Sequence, residues 1–289
     1  MSETATSPDP SRARSTTPPA LGGTALPGVL AVGLARTRIE LTSFFREKDA
    51  VIFIFAFPVI LILIFGTVFS NDIAPGVSFA QYFVAGMVAS GLMLTSFQSL
   101  AIQIAVERDD GSLKRLEGTP MPREAYFVGK VGLVLTISVV QIALLLIVGA
   151  LLFDVQVPTS VDKWVTFTWV ALLGITAGTL LGIAFSSIPR SGKSASAVVS
   201  PVVIVLQFIS GVFFVYSEIP SWMQSIAAVF PLKWLAQGMR SVFLPDVMEA
   251  QEVSGSWQHG ATAIVLALWT VGGLVLCLRT FRWRRRDDG

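Results

Sequence analysis

The sequence contains 289 residues, of which 53% are hydrophobic and 14% are charged, and its mean hydropathy is +0.70. Soluble domains are about 45–50% apolar and about 25% charged, so the composition excludes an ordinary soluble protein and predicts an integral membrane protein. The single cysteine, Cys277, and the single histidine, His259, exclude a disulfide within the chain and a metal site built on several cysteines or histidines. We expect no bound metal and no nucleic-acid partner.

The first part of the chain predicts a cytoplasmic tail followed by a helix on the membrane surface. Residues 1–27 are rich in Ser, Thr, Pro and Ala and show no apolar core of a signal peptide, which indicates a disordered tail. Residues 28–49 place Leu30, Leu34 and Phe45 near helical spacing among charged residues. This pattern is typical of an amphipathic helix that lies in the membrane interface.

Six apolar stretches follow, each long enough to cross a hydrocarbon core of about 30 Å as a helix. The sequence therefore predicts an all-α membrane protein with six transmembrane helices. Pro58 in the first stretch predicts a kink, and Lys130, near the start of the third, is expected to extend toward the lipid headgroups. The predicted spans are residues 51–69, 79–106, 126–153, 163–188, 194–216 and 260–278.

The distribution of basic residues predicts the orientation of these spans. Eighteen of the 21 Lys and Arg residues lie before span one, after span six or in the segments that follow spans two and four. The opposite side holds Lys163, Lys233 and Arg240. The positive-inside rule then places both termini in the cytoplasm, including a basic tail at residues 281–289.

The segment between spans two and three is the longest charged run in the middle of the chain. Ten of the 24 residues from 107 to 130 are charged, so this segment must lie in water. Asp110 or Ser112 can cap a short helix, Leu113 and Leu116 form an i, i+3 apolar pair, and a glycine and two prolines then end the helix. We expect a short amphipathic helix that serves as a docking surface for a soluble partner.

The outer segment between spans five and six, residues 217–259, predicts a re-entrant hairpin. It contains two short apolar stretches separated by Pro231, and each is too short to cross the bilayer. Trp222 and Trp234 suit the membrane interface. We expect a helical hairpin that dips into the outer leaflet and closes the pathway as an outer gate, formed by these three residues. The alternative is a lid that rests on the bundle outside the membrane.

The interior of the predicted bundle is poor in charge. None of the six apolar stretches carries a charged residue in its central part, which argues against the buried ionisable sites of ion-coupled transporters. The amides and hydroxyls in the spans have two interpretations: they form hydrogen bonds between helices, or some of them line a pathway for an amphiphile. The candidate pathway residues are Gln98, Gln141, Gln207 and Ser210.

Two glycine patterns have structural interpretations. Gly174, Gly178 and Gly182 form a small-xxx-small stripe in the fourth span, which allows close helix packing either within the bundle or between subunits.

The triplet at residues 192–194, Gly-Lys-Ser, resembles the end of a phosphate-binding loop, but Ser187 stands where the motif requires its first glycine. We therefore expect no ATP site in this chain.

Two motifs resemble a known family. Residues 107–120 read E-R-D-D-G-S-L-K-R-L-E-G-T-P and resemble the first cytoplasmic loop of type-2 ABC exporter permeases, E-R-x-x-G-[TS]-L-x-x-L-x-x-T-P. The outer stretch is similar to the segment before the last helix of that family, with G-V-F-F at 211–214, I-P-x-W at 219–222, F-P-L at 230–232 and then Arg240. Val215 and Tyr216 depart from the pattern, since many members carry a proline there. The resemblance covers about residues 28–280, the expected transmembrane domain.

The resemblance implies a permease subunit without its own ATPase, multi-pass in a bacterial plasma membrane. A second permease subunit, identical or different, would pair with it, and two separate ATPase subunits would hold the ATP and Mg²⁺, so this chain would bind no cofactor. The interfacial helix and the coupling loop, residues 107–124, would form the docking surface, with Leu113 and Leu116 in a groove of the ATPase and charged residues at the rim. The docking residues are Glu107, Arg108, Gly111, Leu113, Lys114, Arg115, Leu116, Thr119 and Pro120.

The sequence therefore predicts the permease subunit of an ATP-binding cassette exporter. Its substrate would be an amphiphilic or hydrophobic molecule, such as a drug, antibiotic, lipid or glycolipid, and the outward direction rests on the resemblance. One alternative is an ion-coupled secondary transporter, against which the uncharged span centres argue. The other is a membrane-embedded lipid-modifying enzyme, against which the scattered loop carboxylates argue, because they form no acid–base pair.

Overall fold

The computed structural model describes residues 28–69 and 71–283, so the predicted tail at residues 1–27 and the basic tail from residue 284 lie outside the described residues. The α-helices are α1 Val29–Arg46, α2 Lys48–Val68, α3 Phe79–Met93, α4 Leu100–Asp109, α5 Ser112–Glu117, α6 Arg123–Phe153, α7 Val161–Phe185, α8 Gly192–Ile209, α9 Ser221–Ala227, α10 Pro231–Phe243 and α11 His259–Thr280. A π-helical stretch, Leu94–Ser99, joins α3 to α4, and 3₁₀ turns occupy Tyr216–Glu218 and Asp246–Gln251. Strands β1 Asp72–Ala74 and β2 Val77–Ser78 form a small antiparallel hairpin.

Six helices within the described ranges are long and apolar enough to cross a membrane: α2, the continuous helix Phe79–Asp109, α6, α7, α8 and α11. This confirms the predicted six-span, all-α fold. The fifth span is shorter than predicted, because α8 ends at Ile209 and Gly211 then adopts a left-handed φ of 72°. A glycine in this conformation is a common helix terminator.

The second span is the centre of the bundle. Within its most apolar window 83% of the residues are buried, against 17% for α2, so neighbouring helices surround it while α2 lies at the periphery. The span begins with a capping box, in which Ser78 Oγ accepts from the Gln81 amide at 3.3 Å and the Ser78 amide donates to Gln81 Oε1 at 3.1 Å. Such reciprocal bonds satisfy backbone donors that a helix start leaves unpaired.

The glycine stripe of α7 packs within the chain. Gly174 lies against the Leu235 side chain of α10, and Gly178 lies against Ser96 in the π-helical stretch. Gly182 faces backbone carbonyls of the same stretch, so that a Cβ there would lie 2.8 Å from the Phe97 carbonyl oxygen. Of the two interpretations of the stripe, the structure shows packing within the bundle.

Helix α1 lies along the first half of α6. Gly33 of α1 faces Val128, and Gly129 of α6 faces Arg36, so small residues on both helices allow a close approach. On the other side of α1, Leu30 and Leu34 are 66% and 60% exposed. An exposed apolar stripe of this kind fits an interfacial helix, and its position in the membrane interface stays a prediction.

The hairpin α9–α10 is inserted between spans. The Trp269 indole donates to the Val229 carbonyl at 2.7 Å, and the Phe230 ring stacks on Trp269 at 6.2 Å. Trp269 lies ten residues into α11, which is about 15 Å along the helix axis. The tip of the hairpin therefore lies about 15 Å below the outer end of α11, where that helix begins at His259. This depth favours the inserted hairpin over a lid resting on the bundle.

Candidate coupling surface and interior groove

The predicted short helix of the coupling loop is α5, and local hydrogen bonds fix both of its ends. Gly111 adopts a left-handed φ of 77° just before the helix, and the Ser112 amide donates to Asp110 Oδ1 at 2.7 Å. After the last turn, Thr119 Oγ1 donates to the Leu116 carbonyl at 2.7 Å. The N-cap position is thus Gly111, and Asp110, one of the two predicted caps, bonds the first amide of α5 from the residue before it.

The two leucines of α5 face inward, which corrects the expected contact with the ATPase. Leu113 is 0% exposed and belongs to the main apolar core, and Leu116 is half-buried against the same core. Leu113, fully packed in the bundle, holds α5 in place and has no surface left to insert into a partner, whereas part of Leu116 stays accessible. The exposed residues of the predicted docking set are Lys114, Arg115, Thr119 and Pro120.

Glu107 and Arg108 also differ from their predicted role as a polar rim, because both are tied into the chain. Glu107 Oε2 accepts from the Tyr126 hydroxyl at 2.8 Å, and its other oxygen pairs with the Lys130 ammonium. Arg108 donates to the Ser186 carbonyl at 2.8 Å and to Ser186 Oγ at 2.9 Å. Their bonds connect the end of α4 to α6 and to the end of α7.

The expectation that Lys130 extends to the headgroups is wrong. Its side chain is 0% exposed and its ammonium lies 2.9 Å from Glu40 Oε2 of α1. Arg36 pairs with the other Glu40 oxygen at 2.6 Å, so α1, α4 and α6 share one network, named here the buried charge cluster: Arg36, Glu40, Glu107 and Lys130. A buried charge is tolerated where opposite charges and hydrogen bonds satisfy it, and here burial between helices replaces the lipid-facing position that the sequence suggested.

A groove of 1090 Å³ runs from α5 along the bundle, with α1 and α2 on one wall and α4 and α8 on the other. About half of its 31 lining residues are apolar, seven of them phenylalanines, and six are charged. The phenylalanines that line it are Phe44, Phe53, Phe57, Phe65, Phe208, Phe213 and Phe214. Near α5 the lining includes Ser112, Arg115, Leu116 and Thr119, so the helix that carries the exposed docking residues also forms one end of the groove.

The candidate pathway residues divide into two groups. Gln98 and Gln207 line the groove, where Gln98 donates to Ser200 Oγ at 3.3 Å and Gln207 donates to Ser90 Oγ. Gln141 lies between helices instead, donating to the Ile54 carbonyl at 3.1 Å. Ser210 is fully buried beside the end of α8 and does not line the groove. Hydrogen bonding between helices therefore holds for Gln98, Gln141 and Gln207, and a pathway role stays a prediction for Gln98 and Gln207.

The predicted outer gate residues have three different environments. Trp222 is 64% exposed, as expected for an interfacial aromatic residue. Pro231 occupies the first turn of α10, a position that needs no amide proton. Trp234 is only 8% exposed and donates to the Ala228 carbonyl at 2.7 Å, so it fixes the turn between α9 and α10 and is not exposed at the interface.

A buried ion pair behind α10 was not predicted, although Arg240 belonged to one of the motifs. Arg240 is 0% exposed, and its Nε and Nη2 atoms lie 2.7 and 3.2 Å from the two oxygens of Glu252. It also donates to the Gly211 carbonyl at 3.3 Å and lies over the Tyr82 ring at 5.1 Å. The pair therefore joins the hairpin to the outer loop, the end of α8 and the start of α3.

Lys233, one turn from the tip of the hairpin, is a second buried cation. Its ammonium donates to Gln237 Oε1 and lies 3.4 Å from the centre of the Trp234 ring. Burial lowers the pKa of Lys233 to about 8, and the Glu252 carboxylate offsets part of this effect. Among residues 28–69 and 71–283, no group of three or more His, Cys, Asp or Glu side chains could hold a metal ion.

Comparisons with known proteins agree with this architecture. A model of the ABC-2 type transporter family matches residues 34–244, more than half of the chain. The chain is 23% identical over 196 residues to the inner membrane transport permease YadH of Escherichia coli K12, covering 65% of this chain and 74% of that protein. It is 22% identical to the putative transport permease YvfS of Bacillus subtilis 168, covering 66% and 77%. The chain therefore belongs to the ABC-2 type transporter family, as a membrane-spanning transport subunit.

Proposed function

We propose that this chain is the permease of an ATP-driven exporter that moves an amphiphilic or hydrophobic molecule out of the cytoplasm or the inner leaflet. A separate ATPase binds the exposed residues of α5 and supplies the energy. The bacterial inner membrane, named for the relative YadH, is the proposed location. The positive-inside rule places the α5 end of the bundle and both termini in the cytoplasm.

One observation carries the proposal: the proposed docking helix also forms one end of the interior groove. Arg115 and Thr119 are exposed on α5, and both also line the groove. A displacement of α5 by a bound ATPase therefore changes the shape of the groove without a relay through intermediate residues. Coupling between two sites requires an element that both sites contact, and α5 is such an element.

The chemistry of the groove supports an amphiphilic substrate. Pockets for drug-sized ligands have volumes of about 300–1,000 Å³ with a mostly apolar lining and few polar groups, and this groove of 1090 Å³ has seven phenylalanines in its lining. Gln98, Gln207 and Ser200 contribute amide and hydroxyl groups among these rings, and charged side chains, including Glu107 and Arg115, line the end near α5. Such a lining can hold the apolar part of an amphiphilic substrate and form hydrogen bonds with its few polar atoms.

The exposed faces of α2 and α8 support pairing of two permeases across the groove. Phe53 of α2 and Phe208 of α8, both lining the groove, are 50% and 44% exposed. A second permease would cover this side and close the groove. Two permeases present two α5 helices, which corresponds to two ATPase subunits.

Copurification and a charge reversal test the ATPase contact. Arg115→Glu should strongly reduce copurification of the ABC ATPase with the full chain, because the substitution reverses a charge on the proposed docking face. Arg190→Glu, at an exposed position after α7, is the matched control and should retain the ATPase. Equal retention by both variants would place the ATPase contact elsewhere.

Transport in inside-out vesicles tests the groove. Ser200→Trp places a large ring in the groove and should abolish ATP-dependent uptake of fluorescent amphiphiles, such as a rhodamine dye or a labelled phospholipid, while the ATPase still copurifies. Ile264→Trp on α11, where Ile264 is 62% exposed, is the control and should transport normally. Uptake driven by a proton gradient without ATP would favour the secondary transporter, and chemical turnover of lipid by the chain alone would favour the enzyme.

A further inference from the structure

The last described residues of the chain fold back onto the coupling region. Helix α11 ends at Thr280, and the next three residues run along the start of α6. The Phe281 ring meets Phe127 at 5.1 Å, and the Trp283 ring meets Tyr126 at 5.5 Å and Phe281 at 5.4 Å. Ring pairs at these separations are stabilising beyond the apolar area they bury, so the segment has a defined position.

Trp283 is connected to the end of α5 through Arg123. The Arg123 guanidinium lies 5.7 Å from the centre of the Trp283 ring and pairs with Glu117 Oε1 at 3.0 Å. Glu117 is the last residue of α5. Arg123 is otherwise 63% exposed, so the aromatic ring restricts where this ionic partner of Glu117 can lie.

Arg108 connects the same segment to the start of the coupling loop. Arg108 Nε donates to the Arg282 carbonyl at 3.2 Å, and its other nitrogens bond Ser186 at the end of α7. Arg108 lies at the end of α4, four residues before α5 begins. Residues 281–283 therefore contact both the entry to α5 and, through Arg123, its exit.

We propose that Phe281, Arg282 and Trp283 form a C-terminal clamp that sets the position of α5 and joins it to the last transmembrane span. The clamp rests on the proposed function, since its purpose is to hold the surface to which the ATPase binds. Trp283 and Phe281 are positioning residues: they act on α5 through Arg123, Tyr126 and Phe127. Movement of α5 on ATPase binding is thereby transmitted to α11 as well as to the groove.

Hydrogen exchange tests the clamp on the full-length permease in lipid nanodiscs, without the ATPase. Trp283→Ala should raise amide exchange in residues 108–118 about tenfold, because it removes three ring contacts and the cation–π partner of Arg123. Trp283→Phe keeps a ring and should largely restore protection. Truncation after Trp283 removes residues 284–289 and should leave exchange unchanged, and Trp222→Ala, at the opposite end of the bundle, is the control. Unchanged exchange in Trp283→Ala would overturn the clamp.

A second measurement tests the coupling role with the ATPase present. The ATP hydrolysed per molecule of fluorescent phospholipid moved should rise several-fold in Trp283→Ala and stay at the wild-type value in Trp283→Phe. Faster exchange with an unchanged ratio would refute transmission through the clamp while leaving the proposed function intact. If the wild-type chain binds no ATPase, the proposed function fails and the coupling role fails with it, whereas the exchange result still decides whether the clamp holds α5.

Discussion

The Lys130 ammonium lies 2.9 Å from the Glu40 carboxylate, although 90 positions separate the two residues in the sequence. Both side chains are almost completely buried, at 0% and 3% exposure. The pair fixes α1 against α6 at the level where α4 leads into the coupling loop. The surface proposed to bind the ATPase is therefore supported from behind by an ion pair that is almost completely buried.

Lys130→Met should strongly destabilise the protein, because it leaves the partly buried Glu107 without its cation and the buried Glu40 with Arg36 alone. Removing one partner of a buried ion pair costs about 3–5 kcal/mol. The double variant Lys130→Met/Glu40→Met removes one of these carboxylates together with the cation and should recover part of the loss. Thermal unfolding in detergent, followed by far-UV circular dichroism, measures the difference in stability between the single and double variants. Lys193→Met at an exposed position is the control, and an equal effect of both methionine substitutions would contradict the expected cost of burial.

Gly182→Ala should destabilise the contact between α7 and the second span. A Cβ at this position would lie 2.8 and 2.9 Å from two backbone carbonyl oxygens, and backbone cannot rotate away as a side chain can. Overpacking of this kind costs about 1–3 kcal/mol. Gly272→Ala on α11 has open space around its Cβ and should be neutral or stabilising by up to about 1 kcal/mol. Unfolding temperatures in detergent compare the two, and a harmless Gly182→Ala would show that these helices lie farther apart.

Arg240→Met should loosen the outer hairpin, because it leaves Glu252, whose side chain is 7% exposed, without its bidentate partner. The expected cost is about 3–5 kcal/mol, and Arg240→Lys should recover only part of it because an ammonium cannot reproduce the planar fork. Limited proteolysis of residues 244–258 in proteoliposomes measures the loosening. Asp246 pairs with Lys163 at 3.3 Å while 83% exposed, so Asp246→Asn should change stability by less than about 1 kcal/mol.

The stability of the outer hairpin should rise with pH above about 8, because of Lys233. Its folded-state pKa is about 8, below its ordinary value of 10.5, so the folded form binds fewer protons than the unfolded form between these two values. Stability increases with pH wherever the unfolded state binds more protons. Unfolding temperatures at pH 7.5 and 9.5 should therefore differ less in Lys233→Met than in the wild type. An identical pH dependence in both proteins would show that Lys233 does not titrate in this range.

The six spans and the limits of α5 could be predicted because their signals are local. Apolar length predicts a span, and Asp110, Gly111 and Gly118 mark the ends of α5 through backbone chemistry that acts within a few residues. The short helices α9 and α10 were predictable for a similar reason, since two apolar stretches too short to cross the membrane are separated by Pro231, and insertion of this hairpin in the outer leaflet stays a prediction.

Side-chain partners across the bundle could not be predicted, because they depend on how distant helices pack. The i, i+3 pair Leu113 and Leu116 predicts an apolar face on α5 but not whether that face meets a partner or the chain's own core. The local sequence around Lys130, near the end of a span, is compatible both with a lipid neighbour and with packing against α1. Glu40 has no local feature that distinguishes it from other interfacial charges, and only the closeness of α1 to α6 shows its role.

The π-helical stretch Leu94–Ser99 divides the second span into two parts with different faces. A wide turn of this type accommodates an extra residue, which rotates everything beyond it by about 100° around the axis. Above the turn, α3 is enclosed on nearly every side, while within and below it Gln98 and Gln103 look into the groove. The wide turn packs closely against Gly178 and Gly182, so α7 holds this span at the point where its enclosed half gives way to the half that faces the groove.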